Sequence, residues 1–184
     1  MYLKELDITE EQFYIIRYIV SKFNPGDLDK DLYKIYEKNK PLFTSKFRKI
    51  TSKRELQKII VDTIKEEGPN CDLNWIDVSG VTDMSFLFNF TECLDYSAAR
   101  QFKKQYPFNC DISKWDVSNV KTMEGMFCGE DEFNQDISNW DVSNVVVMDS
   151  MFLGTDKFNQ PIGKWNVSNV KVFQNMFNWA ESFN

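Results

Sequence analysis

The side chains in this chain that could do chemistry are four cysteines, Cys71, Cys93, Cys110 and Cys128, and a spaced series of carboxylates, Asp72, Asp111 and Asp136. Histidine is absent. No two cysteines have Cys-x-x-Cys spacing, which together with the missing histidine argues against a structural zinc site. Cys71 and Cys110 take one position of a repeating pattern in which later copies have Gln135 and Gln160. All four cysteines read as free thiols suited to a reducing compartment, with a disulfide between stacked equivalents as the alternative. Stacked aspartates offer oxygen ligands of the kind calcium takes. The Gly-Gly-x-Gly-x-Asp signature of calcium-binding repeats is missing, so solvated or backbone-bonded aspartates are expected instead. No nucleophile–base pair can be assembled, and neither Gly-x-Ser-x-Gly nor a phosphate-cradling glycine loop occurs. The sequence therefore predicts no catalytic residue, no bound metal and no cofactor.

The elements that position these groups come from a repeat. Trp-Asp/Asn-Val-Ser-Asn-Val occurs at Trp115–Val120, Trp140–Val145 and Trp165–Val170, a fixed period of 25 residues. The pattern predicts an α/β solenoid, in which each unit buries its flat face against a neighbour. Val145, Met148, Met151 and Phe152 suit a short helix. Asp136-Ile-Ser138 suits a short strand with Ile137 pointing inward. Ser143-Asn144 is placed to cap that helix, and the recurring Asn109, Asn134, Asn159 and Asn119, Asn144, Asn169 are placed to bond local turn backbone. The methionines at 84, 123, 126, 148, 151 and 176 are core positions of the same pattern.

A divergent earlier copy starts near Cys71, so units begin near 71, 110, 135 and 160. It carries an insertion at about 90–106, read as a short helix looping out of the array. The domain plan is an N-terminal helical region at 1–50, a capping helix within 51–70 and the repeats at 71–184. Ser52-Lys-Arg-Glu55 forms a capping box for that helix, Leu56, Ile59, Ile60 and Ile64 make its apolar face, and Gly68-Pro69 stops it. Thr9–Gln12 is a second capping box, and Leu28–Lys38 suits another helix.

Residues 1–70 hold 14 Lys+Arg against 12 Asp+Glu, a net of +2, whereas residues 71–184 hold 8 against 16, a net of −8. The acidic repeat half should repel nucleic acid and anionic membranes. The basic cluster of Lys46, Arg48, Lys49, Lys53 and Arg54 reads as a solvated face, with an acidic partner as the alternative. No stretch is long and apolar enough for a transmembrane helix. The segment from Met1 to Ile8 lacks a basic start and an apolar core, so a cytoplasmic location, or export by a signal-independent route, is expected.

With its register set, the chain resembles the BspA-like leucine-rich-repeat proteins, in the branch found on bacterial surface proteins and lipoproteins. The matching residues are Trp115-Asp-Val-Ser-Asn-Val120, Met123, Met126-Phe127 and Phe133-Asn-Gln-Asp-Ile-Ser138, with the lead-in from Thr51 to Ser79. The resemblance implies a leucine-rich-repeat-like right-handed solenoid with one short parallel strand and one short helix per turn. It also implies binding or adhesion without catalysis, and display at the cell surface.

A regular array carries its ligand information where its units differ. The outward positions Asp72, Trp75, Asp111, Lys114, Asp136 and Lys164, beside the 90–106 insertion, are the candidate partner-binding face. The expected partner is a basic or neutral protein or glycan, bound more weakly as salt rises. The alternative is a structural protein whose open C-terminal end self-associates as a homodimer through Trp179 and Phe183.

Overall fold

The computed structural model describes residues 34–35 and 50–184. The chain divides into two compact units, Met1–Arg48 and Lys49–Asn184. The capping box at Thr9–Gln12, the helix at 28–38 apart from Lys34 and Ile35, and the basic residues Lys46, Arg48 and Lys49 lie outside the described residues.

The expected α/β solenoid does not form. Among the described residues there is no strand or sheet, only single parallel bridges pairing Asp72 with Asp111, Asp83 with Thr122, Thr122 with Val147 and Val147 with Val172. Besides residues 34–35, helix is confined to α1 (Lys53–Glu67), α2 (Tyr96–Gln105) and two short 3-10 turns, Leu87–Asn89 and Ile162–Lys164. The repeats are instead chains of tight turns. In the unit starting at Cys110, Trp115 N–H donates to Ile112 O, Val120 to Val117, Met126 to Met123, Cys128 to Gly125, Glu130 to Phe127 and Phe133 to Glu130.

Two local causes defeat the strand and the helix. Asp111 Oδ1 accepts the Ser113 N–H at 3.0 Å, and Asp136 Oδ1 accepts that of Ser138 at 2.9 Å, so the chain turns immediately after the aspartate. Left-handed residues recur at two equivalent positions four apart, one inside the stretch read as helix and one just past it. One position holds Phe86, Gly125, Ser150 and Asn175; the other holds Phe90, Gly129, Gly154 and Trp179. A right-handed helix cannot pass through such residues. The three-residue spacing of Val145, Met148 and Met151 therefore marks successive turns.

What holds the units together repeats with the sequence. Met123, Gly125, Phe127 and Gly129 N–H donate to Val147, Asp149, Met151 and Leu153 O of the next unit at 2.8–2.9 Å. The indole N–H of Trp115, Trp140 and Trp165 donates one unit back, to Leu73, Ile112 and Ile137 O. Asn119, Asn144 and Asn169 bond across units, their side-chain amides donating to Ser79, Ser118 and Ser143 O. The other asparagine ladder also crosses units: Asn109 Oδ1 accepts Asn134 N–H, and Asn134 Oδ1 accepts Asn159 N–H. The asparagines thus join coils, where their sequence positions suggested local turn bonds. Ser143-Asn144 cap no helix, since none follows.

Inside, two columns of phenylalanine run through the stack. One is Phe88, Phe127, Phe152 and Phe177, with centroids 5.1–5.5 Å apart; the other is Phe108, Phe133, Phe158 and Phe183, 5.7–5.9 Å apart. The columns touch within each unit, as at Phe127–Phe133, 4.0 Å. Offset ring stacking adds to the burial of these large side chains.

Helix α1 buries Leu56, Gln57, Ile60, Val61, Thr63 and Ile64. Its Ser52 side chain makes no cap bond, unlike the expected box. Gly68, at φ +91°, ends it with its N–H on Ile64 O at 2.8 Å. Helix α2 is the insertion. It does not loop out, because Ala99 and Phe102 are buried in the common core and Phe102 meets Phe90 edge-on at 5.2 Å.

Gly125 illustrates how tightly neighbouring units approach. At φ +54°, a Cβ added there would lie 2.3 Å from the Phe86 ring. Gly125→Ala should cost about 1–3 kcal/mol, from left-handed strain and displacement of that ring. Urea denaturation measures it; an unchanged midpoint would show that neither the left-handed backbone nor the ring's displacement costs stability.

Candidate functional site

The feature that departs most from the repeat is the corner where α2 meets residues 128–132. Asp95 Oδ1 caps α2 by accepting Ala98 N–H at 2.9 Å, while Lys103 and Lys104 lie in its last turn, where the helix dipole favours cations. Burial of Ala99 and Phe102 leaves Tyr96, Arg100, Gln101 and Lys104 exposed, with Tyr96 76% accessible. Lys103 Nζ reaches into the corner, 2.6 Å from Glu130 Oε1 and 3.3 Å from Cys128 O. The equivalent carbonyls of later units, Leu153 O and Asn178 O, accept Gly129 and Gly154 N–H. Lys103 thus supplies a donor that the array supplies from backbone elsewhere.

Glu130 is 3% accessible. Burial pushes its carboxyl up to about 7, against the opposing pull of Lys103. Burial, followed by the neighbouring Asp156 carboxylate, raises Asp131 as well. A cleft of about 280 Å³ opens beside the ion pair, with Lys104 and Pro107 on the α2 side and Gly129, Asp131 and Glu132 on the other. Its walls carry opposite charge. Glu132 also pairs with Lys157 of the next unit.

Sequence reading missed both Lys103 and Glu130. The available signal was that Glu130 places a charge where later units have Thr155 and Ala180. Thr155 is buried there and donates its hydroxyl to Phe127 O, and Ala180 is buried too, so the position is internal in three successive units.

The residues expected to form one binding face have different fates. Asp72, Asp111 and Asp136 each hold a turn through one carboxylate oxygen, to Asn74, Ser113 and Ser138 N–H. Hydrogen bonds from Ser138, side chain and then backbone, hold the Asp136 carboxyl below its ordinary value. Asp72 and Asp111 are half-buried and share a backbone bridge. Trp75 is partly buried against the core. Lys114 and Lys164 are exposed, and the Lys114 N–H is held by Asn74 Oδ1 at 2.7 Å. Among the described residues no three His, Cys, Asp or Glu side chains converge as metal ligands, and no helix is long and apolar enough to cross a membrane.

The two ends of the array differ in polarity. At the first unit α1 covers the acceptor edge: Lys53 Nζ donates to Ser85 O at 2.9 Å and Gln57 Nε2 to Leu87 O at 2.7 Å. Lys53 also pairs with Glu92 at 2.9 Å. At the last unit the donor edge is open, for the N–H groups of Phe173, Asn175, Phe177 and Trp179 meet no acceptor among the described residues. Phe173 is 61% and Trp179 75% accessible. Phe183 instead lies flat on Phe177, 4.0 Å away, and is half-buried.

No curated protein and no solved structure matches the chain. From Tyr96 of α2 through the last unit, residues 96–184, the chain is similar to a bacterial family described as Mycoplasma protein of unknown function, DUF285.

Proposed function

We propose that the chain is a non-catalytic protein-binding module that recognises its partner through the exposed face of α2 and the adjoining two-signed cleft. The observation that carries this reading is the docking of α2. The recurring aspartates and asparagines of the array hold turns and join units, whereas α2 is fixed to the core by Phe102 and Lys103 and leaves Tyr96, Arg100 and Lys104 facing solvent. An exposed aromatic beside Arg100 and Lys104 on a docked helix is a favourable anchor for a polypeptide. Opposite charges across the cleft suit a partner segment that is itself mixed in charge or basic toward Asp131 and Glu132.

Self-association through the last unit is less well matched. A second copy stacked head to tail would meet an acceptor edge already covered by α1 at Ser85 O and Leu87 O.

The test is a displayed-peptide selection against the full chain, run beside a glycan array. Peptides should bind with a Kd that rises with salt and rises at least about tenfold for the Tyr96→Ala, Arg100→Glu double variant. Binders lost only in Trp75→Ala would move recognition to the turn face. Glycans bound in place of peptides would overturn the ligand class.

A further inference from the structure

Cys71 and Cys110 lie side by side in the first step of the array, and the geometry points to a disulfide-forming redox pair there. Their Sγ atoms are 2.9 Å apart, both residues are buried, and both are thiols in this structure. The backbones are already in register. Asp111 N–H donates to Cys71 O at 2.8 Å, Asn109 N–H donates to Pro69 O at 2.9 Å, and the residues that follow the two cysteines form the Asp72–Asp111 bridge. Adjacent bridged chains hold their side chains close and parallel, and only a short approach separates these sulfurs from the bond length of about 2.05 Å.

The repeat supplies a second, independent argument. In later units this position holds Gln135 and Gln160, and each amide ties its unit to the preceding one. Gln135 Nε2 donates to Asn109 O and Oδ1 at 3.0 and 3.1 Å, and Gln160 Nε2 to Asn134 O and Oδ1 at 2.9 and 2.8 Å. The position is where units are fastened together. In the first step, where the insertion intervenes, sulfur stands in that place on both sides. A bond here would close the loop from 71 to 110 that carries α2.

The oxidant class is a small-molecule disulfide. The Cys71 thiolate attacks one of its sulfurs, forming a mixed disulfide and expelling one thiol. The Cys110 sulfur then gives up its proton and attacks Cys71 Sγ, expelling the second thiol. Two protein thiols are oxidised and one disulfide is reduced. The hydrogen bond to Cys71, then burial, pushes the Cys110 thiol above its ordinary value, and because both cysteines are buried the oxidant reaches them through an opened or folding chain. Cys93 and Cys128 have no sulfur neighbour among the described residues and stay reduced.

The full chain is refolded in oxidised glutathione, alkylated under denaturing conditions and digested for mass spectrometry. The expected product is a linked Cys71–Cys110 peptide about 2 Da lighter than its parts, with Cys93 and Cys128 alkylated. Tm should rise on the order of 10 °C over the reduced chain, return with dithiothreitol, and not shift in Cys110→Ser. Four alkylated cysteines, a stalled glutathione adduct on Cys71 or links scrambled onto Cys93 and Cys128 would each overturn the pair. The peptide assignment needs only the unmutated chain, so a variant that fails to fold leaves it decisive.

Discussion

Phe127→Ala is expected to cost about 3–5 kcal/mol, among the largest single losses available in the array. Phe127 is fully buried. Its ring lies 4.0 Å from Phe133, 5.1 Å from Phe88 and 5.5 Å from Phe152, so it packs against both columns and against the units on either side. Its N–H is also one rung of the inter-unit ladder, donating to Met151 O at 2.9 Å, which holds the backbone in place and limits collapse around the cavity. Phe183→Ala makes the control, because that ring stacks on only one neighbouring unit and is half-buried. Its loss should be roughly 1–2 kcal/mol by partial burial. Urea titrations of both variants decide the matter. A Phe127→Ala loss no larger than that of Phe183→Ala would mean that the columns do not transmit packing between units.

The contrast between what the sequence displays and what the chain builds turns on this same column. Periodic Val, Met, Phe and Trp mark the buried face and its register, and every such residue from Trp115 to Phe158 is buried. Backbone conformation inside a unit is less visible. Val145, Met148 and Met151 satisfy a helical spacing and a three-residue turn spacing equally well. Gly125 and Gly129 hint at left-handed backbone, but Phe86, Ser150, Asn175 and Trp179 adopt it with no glycine to announce it. Asp136-Ile-Ser138 has a strand's polarity pattern, yet the aspartate prefers to accept the Ser138 N–H, and the chain turns.

The candidate site was legible only in outline. Divergence from the repeat pointed to residues 90–106, and α2 falls there. Its mode of attachment was hidden, because Lys103 and Glu130 are far apart in sequence and Lys103 has no repeat equivalent. The aspartate ladder was legible as a ladder, but its role depends on side-chain hydrogen bonds at each turn. Those bonds occupy one oxygen of each carboxylate, in keeping with the backbone-bonded half of the expectation, while the sequence also offered the same residues as an outward binding face.

The buried Lys103–Glu130 pair should make the stability of the repeat unit fall as pH rises from about 4.5 to about 7. The folded Glu130 carboxyl titrates above its unfolded value, so across that window the folded state holds a proton that the unfolded state has lost. The cost is complete above the folded value and amounts to at most about 3 kcal/mol. Asp83 contributes in the opposite direction. Burial works against its ionised form, but the Ser85 hydrogen bonds and Lys53 hold it lowered overall, and this support is lost only as pH falls below the ordinary carboxylate range. Stability should therefore peak between these two regimes. Glu130→Gln should flatten the profile across the upper window and be at least as stable as the parent at about pH 8. Lys103→Met should do the reverse, costing about 3–5 kcal/mol at that pH by leaving a buried carboxylate uncompensated. Most of its loss should be recovered near pH 5, where Glu130 takes up a proton and charge no longer matters. The double variant should remove the pH dependence of the loss. A Lys103→Met deficit equal at both pH values would show that Lys103 acts through its aliphatic packing on α2, and that Glu130 carries its proton throughout.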